Sequence, residues 1–375
     1  MDILLTTMVG LEDVVLNELE NDFGLRGEKL RNGRVVVKGD PEDVVRLSYS
    51  GRTFERVMVL LAVEEGVEKL DDVYRAVFSA PLGEYFCPDL TFACRSDRMG
   101  EHPFTSLDIE RTAGQAVVDH FMNATGKRIK ANLEDPDVIV RADLDGDVLY
   151  IALDATGYNA MHKRGYRVYD HPASLNTTLA SALIRVGKWS EEKKLLDPFA
   201  GGGTIPIEAA LYARKVPWFR YRSFLFERSG IIDAEVVRNV KEELLSEVRD
   251  TRIRATGVEK YGKHVAGARK NAESAGVEDT VTFKVGDASK IDVDADIIVT
   301  NPPYGQRIAR PKVVSELYYK FAESAAERNI PKITTVTSRW KWMEDALQQA
   351  GYKIKKNFFV LYGKLHTRVI VAVLG

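Results

Sequence analysis

From about Lys193 onward, short apolar runs alternate with amphipathic stretches of helical spacing, and this alternation restricts the fold more than any other feature of the chain. KLLDPFA, RIRATGVE, TVTFKVGDA, ADIIVTNPPY and KITTVTS read as strands. TIPIEAALYARK, YGKHVAGARKNAESAG, SELYYKFAESAAER and WKWMEDALQQAG read as helices. Strands separated by helices assemble as a parallel sheet with helices on both faces, because each crossover must return over the sheet. KIKKNFFVLYGKL and TRVIVAVLG break the rhythm. With no helix between them, they are expected to close the sheet edge as an antiparallel hairpin. The predicted class is multidomain α/β, with a doubly wound sheet and a terminal hairpin in its C-terminal part.

The 375 residues suffice for two or three domains. Residues 1–65 read as a small α+β unit: a strand at DILLTT, a helix at GLEDVVLNELEND, a strand at GRVVVKG, a helix around PEDVVRLSYSG and a closing strand at FERVMVLLAVEE. Residues 66–156 read as a second module, with a helix near KLDDVYRAVFSA, a strand at DLTFACRSD and a long helix from about Ser106. Its last two strands join through an Asp145–Gly146 turn. A linker over 157–172 leads to the sheet domain at 173–375.

The formal charge of −2 hides an asymmetry: residues 1–72 hold 16 acidic and 9 basic side chains, and residues 157–228 hold 12 basic and 6 acidic. A basic middle suits a local phosphate-binding face. Cys87 and Cys94 have neither zinc spacing nor the number a disulfide framework needs, so no metal is expected. No run reaches the roughly 18–20 apolar residues of a membrane span. MDILLTTMVGLEDVV lacks a basic leader, so the expected location is the cytoplasm.

Four predicted strand ends carry ligand chemistry at one edge of the sheet, where such folds bind ligands. Asp197-Pro-Phe-Ala-Gly-Gly-Gly-Thr204 follows the first strand, and its glycines let the backbone approach a ligand. Glu259 ends the second strand, where an acidic residue accepts from ribose hydroxyls. Asp287-Ala288 ends the third, placed to meet an adenine amine. Asn301-Pro-Pro-Tyr304 ends the fourth. The glycine loop lacks the full Gly-x-Gly-x-x-Gly of nicotinamide enzymes, and no Gly-Lys-Ser/Thr of a P-loop follows it. In the tetrapeptide, the Asn301 side-chain carbonyl and the Pro302 backbone carbonyl can accept from a planar NH2 group and aim its lone pair. The two prolines stiffen the loop, and Tyr304 offers a ring for a base to stack on.

The tetrapeptide and the Asp-Pro-Phe-x-Gly-x-Gly-Thr loop together resemble the N2-guanine and N6-adenine branch of nucleic-acid methyltransferases, whose class I (Rossmann-like) domain ends in such a hairpin. Phe104-Thr-Ser-Leu-Asp108 through Asn132-Leu-Glu-Asp-Pro-Asp137, with Asp154-Ala-Thr-Gly-Tyr158 and His162-Lys-Arg-Gly-Tyr-Arg167, resemble a THUMP domain and the linker after it. With residues 1–65 as a ferredoxin-like domain ahead of it, the chain over essentially its full length resembles the archaeal THUMP-containing tRNA guanine N2-methyltransferases that act at position 6, the TrmN family. The resemblance implies S-adenosylmethionine as cofactor, with the cofactor also lined by Ala173, Ser174 and Leu175, by Pro198, Phe199, Gly201, Gly203 and Thr204, and by Asn301. It implies catalysis at Asn301, Pro302, Pro303 and Tyr304. It implies tRNA as partner, held by its acceptor stem and 3′ CCA end, with no obligate protein partner. Ser174 is also placed to cap the helix NTTLASALIRVGK.

Basic and aromatic residues interleave in Trp218-Phe-Arg-Tyr-Arg222, Gln306-Arg-Ile-Ala-Arg-Pro-Lys312 and Arg339-Trp-Lys-Trp342, a pattern that suits phosphate contact and base stacking. Arg164, Arg167, Arg307, Arg310 and Lys312 are the expected RNA contacts, while Trp340 and Trp342 fit stacking or core equally. Rival readings are N2-methylation at tRNA position 10, whose archaeal enzyme has Asp in place of Asn301, or of ribosomal RNA guanine. Protein-glutamine methyltransferases share the tetrapeptide but have no use for a THUMP half. A non-catalytic RNA-binding protein on the same fold is the rival of another class.

Overall fold

The computed structural model describes residues 1–305 and 311–375. They divide into two compact units. Unit 1 comprises Met1–Thr7, Val15–Met161 and Arg222–Leu244; unit 2 comprises Met8–Val14, His162–Tyr221 and Leu245–Gly375. Among the described residues, no helix is long and apolar enough to cross a membrane, and no cluster of His, Cys, Asp or Glu is arranged to hold a metal ion.

Unit 1 is built on one nine-stranded sheet. Asp2–Thr6, Arg34–Lys38 and Arg56–Glu64 belong to the ferredoxin-like part, and Thr91–Arg95, Val138–Asp145 and Val148–Asp154 to the second module. The two modules are continuous, because Arg56–Glu64 pairs antiparallel with Val148–Asp154 across an irregularity between Leu60 and Ala62. Leu4, Met58, Val148, Tyr150 and Ala152 form an apolar cluster within this sheet. The helix Ser106–Thr125 begins at a Thr105/Asp108 capping box and ends at Gly126 in the left-handed conformation.

Residues 222–244 lie in the sequence between parts of unit 2 yet pack within unit 1. The Arg222 guanidinium donates to the carbonyls of Thr156, Asn159 and Ala160, and Tyr49 donates to Glu227 at 2.6 Å. A helix over Ala234–Ser246 buries Val237, Val240 and Leu244. The strand–helix alternation read from the sequence contains no element there.

Unit 2 holds a seven-stranded sheet. Its strands are β1 (Leu195–Asp197), β2 (Ala255–Glu259), β3 (Val281–Val285), β4 (Ile297–Thr300), β5 (Lys332–Thr337), β6 (Tyr352–Tyr362) and β7 (Leu365–Leu374). The order is β3-β2-β1-β4-β5-β7-β6. The first five run parallel, and β7 is antiparallel to both β5 and β6, so the expected terminal hairpin is present. Its helices include α1 (Thr177–Val186), α2 (Thr204–Ala213), α3 (Gly262–Ala275), α4 (Pro311–Glu327) and α5 (Trp340–Gln349). Leu196, Ile298 and Ile333 of the sheet pack with Tyr318 and Phe321 of α4 and Met343 and Leu347 of α5. Strand order reverses between β1 and β4, which opens a crevice at their carboxyl ends.

Candidate active site

Asp197 closes β1 and is 2% exposed. Its Oδ1 accepts from the Thr300 hydroxyl at 2.6 Å and from the Phe199 N–H at 3.1 Å, which ties the end of β4 to the end of β1. Burial pushes the Asp197 carboxyl up to about 7. Beside it the backbone comes very close to its neighbours. A Cβ on Gly257 would lie 2.6 Å from the Phe283 ring, and one on Gly203, whose φ is +84°, would lie 2.7 Å from it. These two glycines let β2 and the start of α2 settle onto Phe283, leaving the loop backbone at the crevice.

Glu259 is half-buried and fixed from both sides: Oε2 accepts from the Gly201 N–H at 3.2 Å and Oε1 from the Tyr261 N–H at 3.1 Å. Each oxygen keeps a lone pair, as a ribose diol requires. At the next strand end, Oδ1 of Asp287 accepts from the Ser289 N–H at 2.9 Å and hydroxyl at 2.8 Å, bonds that hold this carboxyl below its ordinary range. Ala288 is buried next to it. A glycine cradle, a fixed carboxylate for a diol and a second carboxylate for an amine fit an adenosyl cofactor. Pro198 is buried, and Phe199 stands edge-on to Phe321 at 5.4 Å as part of the core wall.

The tetrapeptide follows β4. The Tyr304 hydroxyl donates to Asn301 Oδ1 at 2.6 Å, which fixes the amide and takes one of its two lone pairs. Pro302 is buried, and among the described residues nothing donates to its carbonyl. One lone pair on Asn301 and the Pro302 carbonyl therefore stand ready for a donor with two hydrogens. The loop is held by a relay absent from the sequence reading. The Arg339 N–H donates to Thr337 Oγ1 at 2.9 Å, Thr337 lies 2.8 Å from the Tyr318 hydroxyl, and Tyr318 donates to the Pro303 carbonyl at 2.9 Å. The Arg339 side chain adds a bond from Nε to the Tyr304 carbonyl at 3.2 Å.

Two of the five expected RNA contacts, Arg164 and Arg167, serve unit 2 itself. Arg164 is 2% exposed, lies 3.9 Å over the Trp218 ring and reaches Glu208 at 3.4 Å. Glu208 is fully buried and also accepts from Tyr166 and Ser181, each at 2.9 Å. Arg164 is thus corrected from a phosphate contact to the counter-ion of a buried carboxylate. Arg167 is half-buried, its guanidinium tied to the Leu175 carbonyl at 2.9 Å and to Thr204 Oγ1 at 3.0 Å. In the Trp218–Arg222 stretch, Trp218 is fully buried and Arg222 is spent on carbonyls, so that interleaving is structural. Lys312 is exposed, while Arg307 and Arg310 lie outside the described residues. Trp340 and Trp342 are half-buried against the core, each with a cation over its ring.

The segment before α1 also differs from expectation in detail. Asn176 caps α1 by accepting from the Thr178 and Leu179 N–H groups, whereas Ser174 closes a turn with His171. Ala173 is exposed and Leu175 is buried. Asn271 of α3, unremarkable in sequence, accepts from the Val168 and Tyr169 N–H groups and donates to the carbonyls of Tyr169 and Gly202, binding the linker to the glycine loop. The ring of His171 lies 4.2 Å from that of His264 and faces Gly201.

Known proteins share this domain organisation. Residues 164–368 match the family described as RMKL-like, methyltransferase domain; residues 67–154 match the THUMP domain; residues 2–58 match the RlmL ferredoxin-like domain. A protein of Archaeoglobus fulgidus named tRNA (guanine(6)-N2)-methyltransferase is 41% identical over 98% of this chain and 90% of its own. One of the same name from Methanocaldococcus jannaschii is 39% identical over 98% of this chain and 99% of its own. The crystal structure of TrmN from Thermus thermophilus superposes with a TM-score of 0.71 at 24% identity, covering 100% of this chain and 99% of that one. That of SMU.472 complexed with SAH gives 0.87 at 24% identity, over 100% of this chain and 98% of that one. These two likenesses establish the shared fold.

Proposed function

The chain belongs to the archaeal THUMP-containing tRNA guanine N2-methyltransferases, and on that premise we propose that it methylates N2 of the guanosine at position 6 of the tRNA acceptor stem. The single observation that carries the chemistry is the pair of acceptors on Asn301 and Pro302, beside the carboxylates Glu259 and Asp287 at one sheet edge. Bound S-adenosylmethionine supplies an electrophilic methyl group. Gly201 and Gly203 with Glu259 and Asp287 would hold its adenosine. Asn301 Oδ1 and the Pro302 carbonyl take the two amine hydrogens, which turns the nitrogen lone pair toward the methyl carbon, and the Tyr304 ring supports the base. Methyl transfer to the amine would leave the cofactor sulfur as a neutral thioether, and the surplus amine proton would then go to solvent. No strong base is needed, and alignment supplies the catalysis.

Position 6 is supported by the names of the two archaeal relatives and by asparagine, not aspartate, at 301. The target guanosine must leave its stem to reach the loop, and unit 1, with its THUMP domain, is the part suited to grip the 3′ end. The reading is tested with a tRNA transcript carrying inosine at position 6, which lacks only the N2 amine. Transfer of labelled methyl should disappear. Undiminished transfer would place the target elsewhere.

A further inference from the structure

Acceptors on Asn301 and Pro302 bind an exocyclic amine, and N2 of guanine and N6 of adenine satisfy them equally. Choosing the base therefore requires a group that reads another edge. Arg339, at the start of α5, is held at three points: its N–H on Thr337, Nε on the Tyr304 carbonyl at 3.2 Å, and Cζ over the Trp342 ring at 5.0 Å. Its two terminal nitrogens have no hydrogen-bond partner among the described residues, and no carboxylate there pairs with it. A half-buried guanidinium tethered by Nε alone presents its remaining donors as a rigid fork. Its tether is the backbone carbonyl of Tyr304, the residue whose hydroxyl holds Asn301.

Resting on the guanine N2 reading above, we propose that Arg339 is the specificity-determining residue that recognises the O6 and N7 acceptors of the flipped guanine. Those two atoms are the guanine pair an arginine fork matches, whereas an adenine with its N6 amine on Asn301 and Pro302 has C2–H and N3 on its opposite edge and offers no such pair. A base with N2 on Asn301 and Pro302 turns its O6 and N7 toward the far side of the pocket. Recognition thus divides: the tetrapeptide orients the amine, and Arg339 rejects the base whose opposite edge is wrong. A phosphate contact is the competing role for a free guanidinium. It would act on every base alike.

The test compares kcat/KM for tRNA with guanosine, 2-aminopurine riboside or 7-deazaguanosine at position 6. All three keep a ring amine at C2, but the second lacks O6 and the third lacks N7. The full-length wild type should prefer guanosine over each analogue by about 10- to 100-fold. Arg339→Met and Arg339→Lys should lower turnover of all three substrates through the lost bond to the Tyr304 carbonyl, but lower that of guanosine by about 10- to 100-fold more than that of either analogue, so that the preference collapses. An equal fall on all three substrates, whether from a lost tether to Tyr304, a lost phosphate contact or a misfolded variant, would overturn the proposal. So would a wild type indifferent to the two analogues. A wild type that methylates no guanosine at position 6 would instead overturn the functional reading beneath it.

Discussion

Asp197 and Glu259 are both acidic residues at the sheet edge, and their surroundings give them opposite tasks. Asp197 is sealed beneath Thr300 with its carboxyl pushed up to about 7, against roughly 3.9 in an unfolded chain. Between about pH 4 and 7 the folded protein holds a proton that the unfolded chain has released, so this group's contribution to stability is full at low pH and lost as pH rises through 7. Asp197→Asn stays neutral and still accepts from Thr300. Without cofactor it should be more stable than wild type at pH 8, by on the order of a few kcal/mol, with the difference vanishing toward pH 4. Chemical unfolding at pH 4.5 and 8 reads this directly, and a pH-independent difference would contradict it. Glu259 remains half-buried with lone pairs to spare. Glu259→Ala removes an acceptor worth roughly 1.5–3 kcal/mol to hydroxyl donors, so calorimetry should show S-adenosylmethionine affinity at least tenfold weaker with tRNA binding near wild type. Unchanged cofactor affinity would place the ribose elsewhere.

Elements were legible wherever periodicity was strong. The seven strands of unit 2, its terminal hairpin and the ends that carry Asp197, Glu259, Asp287 and Asn301 follow from apolar runs and glycine punctuation alone. Three features were not, each for a physical reason. Ala234–Ser246 has clear helical spacing at Val237, Val240 and Leu244, but it interrupts an alternation that otherwise accounts for the sequence. The pairing of Arg56–Glu64 with Val148–Asp154 joins strands far apart in the chain, which local pattern cannot register. Arg164 reads as a solvent-facing cation because its partner, Glu208, sits on another element. That pair anchors the linker to α2. Arg164→Ala leaves a buried carboxylate uncompensated and should destabilise the protein by about 3–5 kcal/mol, seen as a lower denaturation midpoint. A folded protein of unchanged stability but reduced tRNA affinity would restore the phosphate role.

At the scale of the whole molecule, the chain interleaves its units: Met8–Val14 belongs with the catalytic sheet, and Arg222–Leu244 with the THUMP-bearing sheet. Within unit 2, Val9 accepts from the Leu361 N–H at 2.9 Å, and Gly10 is packed so closely on Phe359 that a Cβ would lie 2.0 Å from its carbonyl oxygen. Neither unit is a single stretch of sequence, so cutting at residue 170 removes parts of unit 2. Site choice and chemistry are therefore best examined in the intact chain. Unmodified tRNA transcripts with guanosine at positions 6 and 10 are incubated with S-adenosylmethionine, digested, and mapped by mass. The expected product is N2-methylguanosine at position 6 alone, reduced about 100-fold or more by Asn301→Ala through lost alignment. N2-methylguanosine at position 10, a methyl group on another base, or full turnover by the Asn301→Ala variant would contradict the account.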